Sequence, residues 1–277
     1  MTGITKLEPE SVPYGQQEFS SHGGSFLISA TEGYDRWAAT YDSVPNPLLA
    51  REERHLVPLL GDVSGKTILD LACGTGRWLE ILVRRGAATG VGIDCSASML
   101  RTARQKDAIA SRLAHASCEM LPFRAASFDL AVCSFALGHI RELGCLVREL
   151  GCVMKPGADV FITDLHPEAY ARGWRVGFRD GNMSFRIEML PRAVEEIVAA
   201  FSAGGFAFLS HESLWLGDEE QPIFLRAEKL QAFAKACQLP AILACRFRRN
   251  NARSDFCTKW TDDIGLTTYH RSWEPHL

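Results

Sequence analysis

Short apolar runs alternate along the chain with stretches in which apolar residues recur at helical spacing. The runs are bounded by glycine, proline or polar residues, so they predict buried strands, and the stretches predict amphipathic helices. The expected strands cover residues 68–72, 89–94, 112–116, 129–135, 159–163, 206–211 and 241–247. The expected helices cover residues 46–60, 141–154, 191–201 and 226–237, and a further helix begins near residue 77.

The stretch Ile68–Leu79 has the most specific pattern in the chain. Its apolar run is broken only by Asp70 and ends at Gly74 and Gly76, which permit a tight turn and a close approach of a ligand to the backbone. A helix follows directly, so free N–H groups at its start face the same corner. A dinucleotide-binding turn has a third glycine where this chain has Leu79. The negative charge of Asp70 attracts an ammonium group and repels a pyrophosphate. The alternative is an ordinary strand–helix turn that binds no ligand.

Three further polar side chains follow predicted strands at the same edge of the sheet. Asp94 ends the second strand, about 20 residues after the glycines, where an acid in nucleotide-binding folds accepts hydrogen bonds from ribose hydroxyls. His139 and His166 follow later strands and are candidate catalytic bases or substrate contacts. Helix capping or packing is the alternative for both histidines. No group of residues has metal-ligand spacing, so no metal is predicted.

Charge and composition narrow the range of partners for the 277 residues. The net charge is −3 and no long basic block occurs, which disfavours nucleic acid. No apolar run approaches the ~20 residues of a membrane span, and residues 1–20 lack the pattern of a secretory leader. The nine cysteines include no Cys-x-x-Cys pair, so we expect buried free thiols in a reducing compartment, the cytoplasm.

Several segments resemble motifs of one enzyme family. Residues 68–79 resemble motif I of the class I S-adenosylmethionine-dependent methyltransferases, an acid-x-Gly-x-Gly-x-Gly pattern in which Ala72 stands at the first glycine. Residues 34–42 resemble the family's Tyr-Asp-x-x-Ala-x-x-Tyr-Asp helix, and residues 90–100 resemble motif II. The Leu-Pro-Phe and Ser-Phe-Asp segments within residues 121–129 also match. The motifs are most similar to those of small-molecule methyltransferases that act on ubiquinone and menaquinone precursors.

The resemblance implies that S-adenosylmethionine is the cofactor. The family's acid beside the adenine amino group is replaced by Ser117, so the Ser117 side chain or the Cys118 backbone is expected there, with Glu119 two places away. The residues that the motifs place at the cofactor are Tyr34, Tyr41, Asp70, Ala72, Cys73, Gly74, Gly76, Asp94, Cys95, Met99, Ser117, Cys118, Glu119, Ser134 and Phe135. Core packing is the alternative for Tyr34, Tyr41 and Met99.

The resemblance also implies the fold and its divisions. We expect a Rossmann-like, doubly wound α/β fold with a seven-stranded sheet that is mostly parallel, has a reversed last strand and carries helices on both faces. The methyltransferase domain is expected over residues 31–250, with N-terminal lid helices at 31–61 and a substrate-covering insertion at 168–190. Residues 1–30 are expected to be a flexible N-terminal segment, and residues 251–277 a C-terminal tail.

The implied activity is transfer of a methyl group to a small-molecule acceptor by in-line displacement. Oxygen, nitrogen, sulfur and carbon acceptors all remain open, as does the oligomeric state. Two alternatives keep the cofactor: a binding protein without methyl transfer, and an enzyme that uses the cofactor for another transfer. A third is an NAD-dependent oxidoreductase, against which Leu79 and Asp70 argue.

Overall fold

The computed structural model describes residues 25–251 and contains ten strands and nine α-helices in that part of the chain. The strands are β1 (Ser25–Ile28), β2 (Thr67–Leu71), β3 (Thr89–Asp94), β4 (Leu113–His115), β5 (Phe128–Ser134), β6 (Met154–Leu165), β7 (Gly177–Asp180), β8 (Met183–Ile187), β9 (Phe206–Leu214) and β10 (Ile242–Arg249). The helices are α1 (Ala30–Trp37), α2 (Pro47–Leu60), α3 (Arg77–Arg84), α4 (Ala97–Ala103), α5 (Leu143–Val153), α6 (Pro167–Ala171), α7 (Val194–Ala203), α8 (Gln221–Arg226) and α9 (Leu230–Ala236).

Seven strands form the central sheet in the order β4-β3-β2-β5-β6-β10-β9. The pairs from β4 to β6 are parallel, whereas β10 runs antiparallel to both of its neighbours. Leu69 at the centre of β2 lies opposite Val91 of β3 and Ala131 of β5. The predicted fold class, a mostly parallel seven-stranded sheet with a reversed last strand, is therefore confirmed.

The two faces of the central sheet pack against different helices. On one face, Leu69 belongs to a buried cluster with Leu146 of α5. On the other face, Ile68 packs with Leu56 of α2 and Leu79 of α3. Because successive strand residues point to opposite faces, burial of both faces explains the nearly continuous apolar run of β2.

A second, smaller sheet has the order β1-β8-β7, and we call it the cap sheet. Strands β7 and β8 form an antiparallel hairpin, and β1 adds to β8 in parallel. Strand β1 lies within residues 1–30, which were expected to be flexible, and its Phe26 stacks on Phe185 with ring centroids 5.7 Å apart. Residues 1–24 and 252–277, which hold the rest of that segment and nearly all of the expected tail, lie outside the described residues.

Helix α2 has the ends that the sequence predicts. Asn46 is the N-cap, and its side chain accepts a hydrogen bond from the Leu48 N–H at 2.9 Å. Pro47 opens the helix and Gly61 ends it with a φ of 62°. Among the described helices, none is long and apolar enough to cross a bilayer.

Two predicted elements differ from the structure. The helix expected at 226–237 begins only at Leu230, as α9, because α8 ends at Arg226 and Glu228 adopts a left-handed φ of 58° between the two helices. Strand β6 begins at Met154 and includes the turn expected at 155–157. Met154 of β6 pairs with Phe128 of β5, and Asp159 pairs with Leu130. Five steps along β6 thus correspond to two steps along β5, and the extra residues of β6 form an irregularity within the strand.

Candidate active site

A cavity of about 350 Å³ opens at the carboxyl ends of β2, β3 and β5, beneath α1. This is the edge at which open α/β sheets bind ligands. Nearly all residues that the motifs place at the cofactor line the wall of this cavity. They are Tyr34, Tyr41, Asp70, Ala72, Cys73, Gly74, Asp94, Cys95, Met99, Ser117, Cys118, Glu119, Ser134 and Phe135.

Gly76 and His166 are not among the residues that line this cavity. Gly76 has a φ of 79°, and a Cβ there would collide with the Ile109 side chain, so the start of α3 favours glycine at this place, and a contact of Gly76 with the cofactor stays a prediction. His166 is the N-cap of α6, where its Nδ1 accepts from the Glu168 N–H at 3.2 Å. The role of His166 as a base or substrate contact stays a prediction, and the structure gives this side chain a capping role. His139 does line the cavity.

Asp70 lies on the face of β2 that packs under α3 and is only 2% exposed. One of its oxygens accepts a hydrogen bond from the Leu79 N–H at 2.9 Å. Burial raises the pKa of Asp70 to about 7, and the Leu79 hydrogen bond offsets part of that rise. The carboxyl is therefore poised to ionise fully when a cation binds next to it.

Asp94 at the end of β3 ties two loops together. Its Oδ2 accepts from the Gly74 N–H at 2.8 Å, and its Oδ1 accepts from the Ser96 N–H at 2.7 Å. Burial raises the pKa of this carboxyl as well, and the two backbone hydrogen bonds oppose the rise. Each oxygen keeps a second lone-pair position, so Asp94 can still accept two hydroxyl hydrogens from a ligand.

Two non-glycine residues in the cavity wall have left-handed backbone conformations. Ala72 has a φ of 49° and Phe135 a φ of 50°. Such conformations cost about 1–2 kcal/mol for a residue with a Cβ. At Ala72 this geometry explains why the family's motif has glycine at that place, and Ala72 adopts it nonetheless.

The sequence analysis missed Arg77, which lines the cavity, and Glu52, the buried acid that contacts it. Glu52 of α2 is fully buried, and it contacts Arg77 Nη2 and the Thr163 hydroxyl. The same Nη2 donates to Ser134 Oγ at 3.2 Å. Arg77 Nη1 is buried without a hydrogen-bond partner, and the Glu53 carboxylate lies 3.6 Å away. Periodicity marks Arg77 as a surface position of α3, so no pattern indicated this pairing.

The acids of the Tyr-Asp motif also have positions that the sequence analysis did not predict. Asp35 of α1 accepts from the Ser96 hydroxyl at 2.6 Å and from the Ser98 N–H at 3.1 Å. Asp42 accepts from the Thr75 hydroxyl at 2.9 Å and pairs with Lys106 at 3.1 Å. Helix α1 and the turn that follows it, residues 30–43, cover the cavity, and we call them its roof. The two acids thus fasten the roof to the segments that follow β2 and β3.

Residues 68–157 match the family model described as a methyltransferase domain. This match covers the strand–glycine–helix corner, both cavity carboxylates and strands β2 to β5. The matched region is thus similar to methyltransferase domains.

Curated proteins are similar to just under half of this chain. The demethylmenaquinone methyltransferase of Lactiplantibacillus plantarum is 33% identical over 136 residues, which are 45% of this chain and 57% of the relative. The 2-phytyl-1,4-naphtoquinone methyltransferase of Trichormus variabilis is 33% identical over 144 residues, which are 48% of this chain and 63% of the relative. The chain thus spans about three fifths of the length of these relatives.

Solved structures share the fold of this chain. An S-adenosylmethionine-dependent methyltransferase from Mesorhizobium loti aligns with a TM-score of 0.57 at 24% identity, over 74% of this chain and 100% of that one. Geranyl diphosphate C-methyltransferase from Streptomyces coelicolor, solved with S-adenosyl-L-homocysteine, aligns with a TM-score of 0.54 at 14% identity, over 72% of this chain and 78% of that one. At these identities the similarity concerns the fold alone.

Proposed function

We propose that this protein binds S-adenosylmethionine in the cavity and transfers its methyl group to a small-molecule acceptor. One observation carries the proposal: a buried carboxyl with a pKa of about 7 and a guanidinium lie in the same cavity wall, at Asp70 and Arg77. An α-amino acid presents an ammonium and a carboxylate, which are the complements of these two groups. A pyrophosphate would place its charge against Asp70.

The other polar groups of the wall suit the nucleoside part of the same ligand. Asp94 has free lone pairs for ribose hydroxyls, although both oxygens also hold loop N–H groups. Ser117 and Cys118 continue the wall beyond Asp94 and would lie beside the adenine. The cavity volume falls in the range of small-molecule sites.

The chemistry then needs little from the protein beyond placement. Bound S-adenosylmethionine supplies an electrophilic methyl group. The chain's residues would hold the acceptor in line with the breaking bond and exclude water. The roof fastened by Asp35 and Asp42 serves that exclusion.

A small molecule is the acceptor class that this chain favours. The curated relatives are named for demethylmenaquinone, phytyl-naphtoquinone and ubiquinone biosynthesis. The net charge of −3 is unfavourable for a nucleic-acid substrate. The free cysteines among the described residues suit a reducing compartment, so we propose that the protein acts in the cytoplasm.

The proposal is tested with S-adenosylmethionine that carries a ¹³C-labelled methyl group. The full chain is incubated with this reagent and a panel of aromatic alcohols, amines, thiols and carboxylic acids, and products are identified by mass spectrometry. We expect the label in one product class, with S-adenosylhomocysteine formed in equal amount. Binding of S-adenosylhomocysteine without any labelled product would instead indicate a binding protein.

A further inference from the structure

Tyr34 of α1 and His139 are paired across the cavity. The Tyr34 hydroxyl lies 3.1 Å from His139 Nε2, and the rings meet edge to face with centroids 5.4 Å apart. Tyr34 comes from the roof, whereas His139 ends the 3₁₀ turn Leu137–His139 that follows β5. Both side chains line the cavity that holds Asp70 and Asp94.

A backbone carbonyl determines which nitrogen of His139 carries the proton. His139 Nδ1 lies 2.8 Å from the carbonyl oxygen of Glu188. A carbonyl oxygen can only accept, so Nδ1 must donate and therefore carries the proton. In the neutral ring Nε2 is then an acceptor, and the Tyr34 hydroxyl donates to it.

The turn that carries His139 is itself fixed in place. The Gly138 N–H donates to the buried Asp164 carboxylate at 2.6 Å, and the Gly138 carbonyl accepts from the Leu190 N–H at 2.7 Å. Glu188 and Leu190 follow β8, so the segment that forms the cap sheet also orients the imidazole. The geometry of the pair therefore depends on three parts of the chain. The roof carries Tyr34, the buried Asp164 holds the turn of His139, and the insertion orients the imidazole.

The environment keeps both partners neutral before reaction. Burial raises the pKa of Tyr34 well above its usual value, and burial lowers the pKa of His139. A tyrosinate is therefore strongly disfavoured at this place. If Tyr34 accepts a proton from a ligand, it must pass its own proton to His139 at the same time.

We propose that Tyr34 and His139 form a two-proton relay that deprotonates a hydroxyl-bearing acceptor during methyl transfer. This inference rests on the proposed function above. The acceptor's O–H proton moves to the Tyr34 oxygen, and the Tyr34 proton moves to His139 Nε2, which leaves an imidazolium. The acceptor oxygen forms a bond to the methyl carbon as the carbon–sulfur bond breaks, and that electron pair stays on sulfur. The positive charge lost at sulfur thus reappears on the imidazolium.

The relay distinguishes hydroxyl acceptors from amines. A neutral amine attacks with its own lone pair and can release its proton after the bond has formed. A neutral hydroxyl is a weak nucleophile and is activated when a base takes its proton in the transition state. A preformed donor–acceptor pair that ends in an unprotonated Nε2 fits the second case.

Magnetic resonance of the imidazole nitrogens tests the proton positions without any turnover. The full chain, labelled with ¹⁵N-histidine, is measured with and without S-adenosylhomocysteine at neutral pH. We expect His139 to be protonated at Nδ1 and unprotonated at Nε2, and we expect Tyr34→Phe to shift the Nε2 resonance. Tyr170→Phe, a matched change on α6, should leave that resonance unchanged. An unprotonated Nδ1, or no shift in Tyr34→Phe, overturns the relay.

Kinetics test the chemistry with defined probe acceptors. Catechol, hydroquinone and 1-naphthol are compared with aniline and 1-naphthylamine in the wild type, Tyr34→Phe and His139→Gln. We expect the hydroxyl probes to be methylated and kcat to fall about 10²-fold or more in both variants, with little change in KM or in S-adenosylhomocysteine affinity. His211→Gln on the exposed edge strand β9 is the control for histidine loss.

The outcomes separate the relay from the proposed function. Absence of S-adenosylhomocysteine binding in the wild type contradicts the proposed function itself. The relay is wrong, while cofactor binding stands, if that ligand binds but no hydroxyl probe is methylated. The relay is also wrong if Tyr34→Phe keeps the kcat of the wild type.

Discussion

At the scale of single residues, the site combines groups that are unfavourable for folding with groups that are suited to a charged ligand. Asp70 is buried with one hydrogen bond and a pKa of about 7, and Ala72 beside it has a left-handed backbone. The sequence predicted Asp70 because it is the one acid within an apolar run, and Asp94 because it ends such a run. It did not predict Arg77 and Glu52, because their pairing depends on how α2 packs against α3.

The first prediction concerns the stability cost of Asp70. Its pKa is higher in the folded chain than in the unfolded one, so its stabilising contribution is complete below about pH 4 and is lost as pH rises through 7. Asp70→Asn should therefore raise the free energy of unfolding at pH 8 by on the order of a few kcal/mol and change it little at pH 4. Denaturant titrations at the two pH values measure this difference.

The matched control is Asp107→Asn, at an exposed position outside the cavity, which should change stability little at either pH. An Asp70→Asn protein that is less stable than the wild type at pH 8 would contradict the pKa assignment.

The second prediction concerns proton release. An ammonium group beside Asp70 favours the ionised carboxylate, so S-adenosylhomocysteine should displace a proton when it binds between pH 6 and 7. Affinity should then rise with pH over that interval. Calorimetry in buffers of different ionisation enthalpy measures the released protons, and an affinity that is independent of pH would count against the contact.

The third prediction concerns backbone strain at Ala72. Ala72→Gly relieves the left-handed conformation and should raise the free energy of unfolding by about 0.5–1 kcal/mol. Ala126→Gly, in an exposed turn with a φ of 53°, is the control with the same backbone effect outside the cavity. Thermal unfolding of both variants checks the effect, and a destabilised Ala72→Gly would show that the lost methyl contacts outweigh the strain.

At the scale of elements, the sequence predicted the helix ends and strand bounds that depend on neighbouring residues. The cap and glycine end of α2 and the bounds of β3 follow from neighbouring residues, and the structure confirms them. Strand β1 was missed because it pairs with β8, far along the chain, through the stacking of Phe26 on Phe185. The break between α8 and α9 depends on the left-handed backbone of Glu228, which apolar periodicity does not reveal.

The fourth prediction concerns the attachment of α1 to the core. Asp35→Ala removes two hydrogen bonds to the start of α4, from Ser96 and Ser98, each of which contributes about 1 kcal/mol. The roof should open more often, and S-adenosylhomocysteine affinity should fall about tenfold while the core unfolds at a similar temperature. Calorimetry gives the affinity, and amide exchange over residues 30–43 reports the opening.

Glu32→Gln is the control on the same helix. The Glu32 carboxylate pairs with the exposed side chain of Arg36, and the Glu32 N–H donates to the N-cap Ser29. The affinity of this variant should equal that of the wild type. Equal affinities for Asp35→Ala and Glu32→Gln would mean that α1 does not cover the bound ligand.

At the scale of the whole molecule, the strand order brings the working residues to one sheet edge. The chain places β3 on one side of β2 and β5 on the other, which opens a crevice at the carboxyl end of β2. The cap sheet and α1 close this crevice. The motifs predicted the core and most of the cavity wall because each motif lies where a strand ends. The closure was less predictable, since it joins residues 25–43 to residues 177–190 by contacts between distant segments.

The central claim is that the corner after β2 holds the amino-acid end of a nucleoside ligand. Titration calorimetry of the full chain at pH 7.5 tests it most directly, with S-adenosylhomocysteine and NAD as the two ligands and Asp70→Asn as the variant. We predict saturable binding of S-adenosylhomocysteine at one site per chain, at least tenfold weaker binding by Asp70→Asn, and no binding of NAD. Binding of NAD, or no heat with S-adenosylhomocysteine, would contradict the account.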